Sequence, residues 1–154
     1  MSEIYIYTDG SCDHHDERRP GGWAYIIVDS KNGIELSDSN GCLRTTNNQM
    51  ELNAILEAMW KIEELKLNES VKIIFHTDSN WSIKCLTKEW NCISVDKKTG
   101  KIGGHVQWLY DIWSKIAHRP VEFKKVAGHS SNIMNNKVDK MALAKMEWAR
   151  AKLR

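Results

Sequence analysis

Four acidic residues of this chain, Asp9, Glu51, Asp78 and Asp139, stand where a lone carboxylate is costly to keep. Asp9 ends the apolar run Glu3-Ile4-Tyr5-Ile6-Tyr7-Thr8 and is followed by Gly10-Ser11; Asp78 ends Val71-Lys72-Ile73-Ile74-Phe75-His76-Thr77 and is followed by Ser79. Glu51 lies on the apolar stripe of a helical pattern, one turn before Ile55, and Asp139 repeats that placement one turn before Leu143. A carboxylate on a core-facing helical turn is disfavoured unless it is paired, hydrogen-bonded or bound to a cation. Each residue also has an ordinary reading: Asp9-Gly10 as a turn, Asn48 to Glu51 as a capping box, Asp78 or Ser79 as the cap of the next helix. Brought together, the four would repel one another strongly unless something cationic held them. All are hard oxygen donors, with no cysteine or paired histidine among them, a set that selects Mg²⁺ or Mn²⁺ over zinc or copper. Such a cluster suits two ions about 3.5–4 Å apart that activate a water and stabilise a leaving oxygen, the chemistry of phosphodiester hydrolysis.

The elements that must position them follow from periodicity. Glu3 to Ser11 reads as a central strand, Trp23 to Val28 as a second and Ile34 to Thr45 as a weaker third, separated by the Pro20-Gly21-Gly22 turn and the Lys31-Asn32-Gly33 hairpin. From Asn47 to Lys66 the period becomes helical, with Ile55, Ala58, Met59, Ile62 and Leu65 on one stripe. A strand over Val71 to Thr77 precedes a helix from Asn80 to about Lys88. Residues 89–104 show no period and read as a cationic loop; Val106, Leu109, Tyr110, Trp113, Ile116 and Ala117 mark another helix, ended by Pro120. Val121 to Val126 is the last strand and Asn135 to Leu153 the last helix, with Ala142, Leu143, Met146 and Ala149 inward. His129 sits in the intervening loop, where a lone histidine is usually idle. The order β-β-β-α-β-α-α-β-α predicts a mixed sheet with helices packed on it, a single α/β domain. Ligands of such sheets gather beyond the carboxyl ends of the central strands, where Asp9 and Asp78 emerge if their strands are parallel neighbours.

With 154 residues the chain is long enough to bury roughly two thirds of its unfolded surface as one domain. Twenty-two Lys and Arg against 20 Asp and Glu give a net charge of +2, too mild to argue a nucleic-acid partner by charge alone. Cys12, Cys42, Cys85 and Cys92 form no Cys-x-x-Cys pair and have no histidine at zinc-like spacing, so free thiols and no disulfide framework are expected. No signal-peptide pattern precedes the first strand and no apolar run approaches the ~18 residues of a membrane span, so the expectation is a soluble cytoplasmic protein with no membrane partner.

The motifs Tyr7-Thr8-Asp9-Gly10-Ser11-Cys12, Thr45-Thr46-Asn47-Asn48-Gln49-Met50-Glu51-Leu52, Thr77-Asp78-Ser79 and Gly128-His129 with Asp139 ten residues on closely resemble type 1 ribonuclease H, in order and spacing, from residue 3 to about residue 150. The resemblance implies a ribonuclease H-like α/β fold, a five-stranded mixed sheet flanked by helices on both sides. It implies endonucleolytic cleavage of the RNA strand of an RNA–DNA hybrid with Mg²⁺ or Mn²⁺, leaving 5′-phosphate and 3′-hydroxyl ends. Asp9, Glu51, Asp78 and Asp139 match the metal-binding carboxylates, and His129 the loop histidine that assists proton transfer or product release. Thr46, Asn47 and Asn48 match positions that hold the DNA phosphate or read the minor groove; Cys12 and Asn135 fall at positions near the hybrid. Asn80 stands where a longer glutamine is common, and Asp13-His14-His15-Asp16 replaces the usual Asn-Pro, which alters a usual phosphate contact and leaves the role of His14 and His15 open. The basic protrusion is shorter and poorer than in well-known bacterial relatives, keeping Trp81, Lys84, Lys88, Trp90, Lys97, Lys98 and Lys101. Two rivals stay open on the same fold: a silent module that binds hybrid or double-stranded RNA, and a DNA-directed nuclease. A monomer needing no protein partner is expected.

Overall fold

The structure, a computed structural model, describes residues 3–127 and 132–154. Five strands, β1 (Glu3–Cys12), β2 (Gly21–Asp29), β3 (Ile34–Cys42), β4 (Lys72–Thr77) and β5 (Val121–Lys125), form one sheet in the order β3-β2-β1-β4-β5. The first three form an antiparallel meander, while β4 runs parallel to β1 and β5 parallel to β4. The sheet is therefore mixed, as expected. The crossover from β1 to β4 carries α1 (Asn47–Glu64); α2 (Asn80–Leu86) and α3 (Val106–Ile116) follow β4, and α4 (Ile133–Lys152) follows β5.

Period-two alternation sorts the sheet's side chains between two layers. From β2, Trp23, Tyr25 and Ile27 join Ile4, Ile6 and Phe75 in a core with Ile55, Met59 and Ile62 of α1 and Leu109 and Ile112 of α3. The alternate residues Ala24 and Ile26 face the other way and pack on Val138 and Ala142 of α4. Covered on both faces, β2 is almost wholly buried, which is why it reads as a continuous apolar run. β3, at the edge, is polar and largely exposed.

Two glycines set how closely the helices approach. A Cβ on Gly10 would collide with the backbone of Met50 and Glu51, and one on Gly22 with the backbone of Ala142 and Met146. Glycine at these points lets α1 and α4 lie directly on the strands.

Some expected faces differ. Leu143 is 40% exposed, because α4 meets the sheet on the narrow line Ala142, Met146 and Ala149, and Leu143 falls one step round the helix. Tyr110 is 50% exposed beside the buried Leu109, and Leu65 lies at the frayed end of α1, 39% exposed. The expectation of four free thiols is also corrected: Cys85 and Cys92 are disulfide-bonded, leaving Cys12 and Cys42 free. A left-handed turn at Lys88, with φ of 62°, and a bond from the Trp90 amide to the Lys84 carbonyl fold the chain back at the end of α2 and bring the two sulfurs together. Among the described residues, no helix is long and apolar enough to cross a membrane.

Candidate active site

Strand register brings the first two carboxylates together. Tyr7 of β1 pairs with His76 of parallel β4, so Asp9 and Asp78, each two residues further on, leave the same end of the sheet side by side. The Met50–Glu51 backbone of α1 lies over Gly10 and lowers Glu51 onto this edge, 3% exposed. One carboxylate oxygen from each of Asp9, Glu51 and Asp78 lies within 4.8 Å of the others. Asp139, from the second turn of α4, reaches the group through a side-chain hydrogen bond to Asp9.

The capping reading of Glu51 does not hold. Thr46 caps α1, its hydroxyl accepting from the Gln49 amide at 3.1 Å. The box lies two residues earlier than Asn48 to Glu51, and Glu51 is left inside the helix on its buried face. After β4 the cap is Ser79, which accepts from the Ser82 amide, so Asp78 is not the helix cap.

These carboxylates are electrostatically frustrated. Burial, the hydrogen bond to Asp139 and the charges of Asp78 and Asp139 push the Asp9 carboxyl up to about 8. Burial first, then Asp9 and Asp78, raises Glu51 well above the usual carboxylate range. Glu51 Oε2 is buried with no hydrogen-bond partner. A buried acceptor without a donor costs free energy, and a hard cation among three carboxylates supplies the missing partner. The donor set therefore fits Mg²⁺ or Mn²⁺.

An open groove of about 630 Å³ runs past the start of the helix that carries Glu51, lined by Thr46, Asn48 and Gln49 from α1, Trp81 of α2, Trp90, and His105 at the start of α3. Asn47 and Asn48 are exposed in the first turn of α1, one turn before Glu51, and Asn80 is the exposed first residue of α2. Other expected contacts lie differently. The Cys12 thiol turns inward to the Thr45 carbonyl at 3.5 Å, and Asn135 is 5% exposed in the first turn of α4. Lys84 is paired with Glu89 at 2.8 Å, and Lys88 lies over the Trp113 ring. Lys97, Lys98 and Lys101 are exposed on a small excursion closed by the Val95–Ile102 bridge, and they do not line the groove. His14 and His15 are exposed, on a loop whose Asp13 and Asp16 are paired with Arg150. His129 lies outside the described residues.

Gln49 and His105 were not singled out from sequence. Gln49 was legible as the third residue after a Thr cap, and His105 as the residue that ends the Gly103-Gly104 turn before α3.

A family model of RNase H matches residues 1–147. The chain belongs to the ribonuclease H family. Proteins named Ribonuclease H from Trichodesmium erythraeum and Caldicellulosiruptor saccharolyticus are 36% and 31% identical to it, over 92% of this chain in both cases and over 87% and 94% of theirs. Among solved structures, the N-terminal RNase H domain of a Mycobacterium tuberculosis protein superposes with a TM-score of 0.79 at 15% identity, over all of both chains. LC11-RNase H1, solved in complex with an RNA/DNA hybrid, gives 0.73 at 21% identity, over 97% of this chain and all of that one. The ribonuclease H-like fold expected from the motifs is thus found, and the chain is a ribonuclease H-family enzyme with an acidic cluster able to hold a divalent metal.

Proposed function

We propose that the chain hydrolyses the RNA strand of RNA–DNA hybrids endonucleolytically, leaving 5′-phosphate and 3′-hydroxyl ends. The observation that carries this reading is the carboxylate group of Asp9, Glu51 and Asp78, the first two buried, in a ribonuclease H-family chain whose helix α1 supplies both Glu51 and the Thr46 and Asn48 edge of a Trp-lined groove. Asp9, Glu51, Asp78 and Asp139 hold Mg²⁺, or Mn²⁺ in its place, as two ions in the substrate complex, which supply water activation and leaving-oxygen stabilisation.

The chain's own residues do the rest. Asp9 and Glu51, driven toward their protonated forms by burial and by their neighbours, give up protons as they become ligands. Glu51 also offers a carboxylate oxygen to a ribose 2′-hydroxyl, the group that distinguishes RNA from DNA at the cut. Thr46, Asn47 and Asn48 place polar side chains at the start of α1, whose free amides and dipole favour a phosphate of the DNA strand. Trp81 and Trp90 offer ring faces and edges along the groove. In this reading Lys84, Lys88, Lys97, Lys98 and Lys101 are assigned to backbone phosphates of the hybrid, and Cys12, Asn80 and Asn135 to further contacts with it. His129 assists proton transfer or product release, the general acid–base role open to an imidazole.

The test uses a hybrid labelled on either strand, incubated with Mg²⁺ or with a chelator. Cutting of the RNA strand alone, with fragments that ligate through 5′-phosphates and only when metal is present, is the expected result. Binding without cutting in Mg²⁺, and again when Mn²⁺ replaces it, would favour a silent hybrid-binding module.

A further inference from the structure

The chain between Cys85 and Cys92 reverses at the end of α2. Beyond the reversal Trp90 to Ile93 line the groove on one side and, on the other, a second concavity of about 660 Å³ against Tyr110 and Trp113 of α3. These four residues belong to no helix or strand, so they form a wall one segment thick. Two restraints meet on Cys92. Its sulfur is bonded to Cys85, which is fully buried in the main core. Its carbonyl lies 2.7 Å from His105 Nε2, and because a carbonyl only accepts, the ring must carry a proton on Nε2. The same imidazole meets Trp81 edge-on, with ring centroids 5.3 Å apart. His105 thus ties the Trp81 side of the groove to the Cys92 side.

Resting on the hybrid reading above, we propose that His105 and the Cys85–Cys92 disulfide are positioning elements that fix the groove's width, so that a dithiol reductant weakens hybrid binding by releasing this wall. Cys92 is the sulfur open to attack, because Cys85 is sealed in the core. One thiolate of the dithiol bonds to Cys92 Sγ as the Cys85–Cys92 bond breaks, and Cys85 leaves as a thiolate that takes a proton. The second thiol then closes on the first, releasing Cys92 as a thiol; the protein gains two electrons and the dithiol becomes a cyclic disulfide.

Three measurements test this. Thiol titration in denaturant without reductant should find two of the four cysteines free, and four would overturn the proposal. Hydrogen exchange, which needs no substrate, should show the amides of residues 89–94 exchanging faster in dithiothreitol. Steady-state cleavage of hybrid should show KM raised about fivefold or more on reduction, the scale of losing one base-stacking contact, with kcat unchanged. The double variant Cys85→Ala/Cys92→Ala should show the raised KM with or without dithiol. His105→Ala should raise KM, and His105→Gln, whose amide can donate to the same carbonyl, should recover most of it. Unchanged KM on reduction, with cleavage intact, overturns this inference and leaves the function standing. Absence of hybrid cleavage in both redox states overturns the substrate reading and this inference together.

Discussion

At Glu51 a carboxylate oxygen is buried without a partner, and Asp9 beside it is in reach of Asp78 and Asp139. Such an arrangement works against folding until a cation arrives, and this makes a prediction about pH. The folded-state value of Asp9 is raised from the ordinary 3.8 to about 8, so between these values the folded protein holds a proton that the unfolded chain has released. Stability of the metal-free protein therefore falls as pH rises through that window, by up to about 1.4 kcal/mol per pH unit for this group, and levels off outside it. Glu51, also raised, adds to the same trend. Mg²⁺ binds the ionised forms and should flatten the slope. Urea unfolding at several pH values, with chelator and with Mg²⁺, for the natural protein and Asp9→Asn, would show it; a slope in chelator that Asp9→Asn leaves unchanged would contradict the assignment. The two aspartates were legible because each ends an apolar run, although β1 itself continues past Asp9 to Cys12. Glu51 was ambiguous because Thr45-Thr46-Asn47-Asn48 offers four capping residues in succession, and the structure selects Thr46.

Among the elements, the site depends on helices resting directly on strands. Gly10 is next to Asp9 in sequence and under Glu51 in space, so it sets the distance between them. Gly10→Ala puts a methyl group against the Met50–Glu51 backbone, which yields only if α1 shifts; the expected loss is about 1–3 kcal/mol of stability, with a fall in kcat as Glu51 moves. Thermal unfolding and hybrid cleavage of that variant check it, and unchanged Tm with unchanged kcat would show that α1 is not seated as described. Element types and order were readable from periodicity, since strands β1, β2 and β4 and helices α1 and α4 carry long unambiguous patterns. Less could be read where two elements meet. The exposure of Leu143 depends on how narrow a line α4 presents to β2, and the Cys85–Cys92 bond depends on the left-handed turn at Lys88, which spacing alone does not announce.

For the molecule as a whole, the net charge of +2 leaves little long-range attraction for a polyanion. Locally, Lys84 is engaged by Glu89, Lys115 by Glu63 and Lys137 by Glu35, so several cations near or far from the groove are already partly neutralised. Each phosphate contact contributes about one unit to the salt slope of binding. With these cations engaged and so little net charge, this chain should show a shallow dependence of hybrid KM on salt; a slope matching about 6–10 phosphate contacts would reject that. The measurement that bears most directly on the central claim is cleavage of equal lengths of RNA–DNA hybrid, duplex RNA and duplex DNA with Mg²⁺, for the natural protein and Asp9→Asn. The account predicts that only the hybrid is cut, only in its RNA strand, and that Asp9→Asn abolishes the cutting while keeping the fold. Cutting of duplex DNA would contradict the substrate, and undiminished cutting by Asp9→Asn would contradict the site.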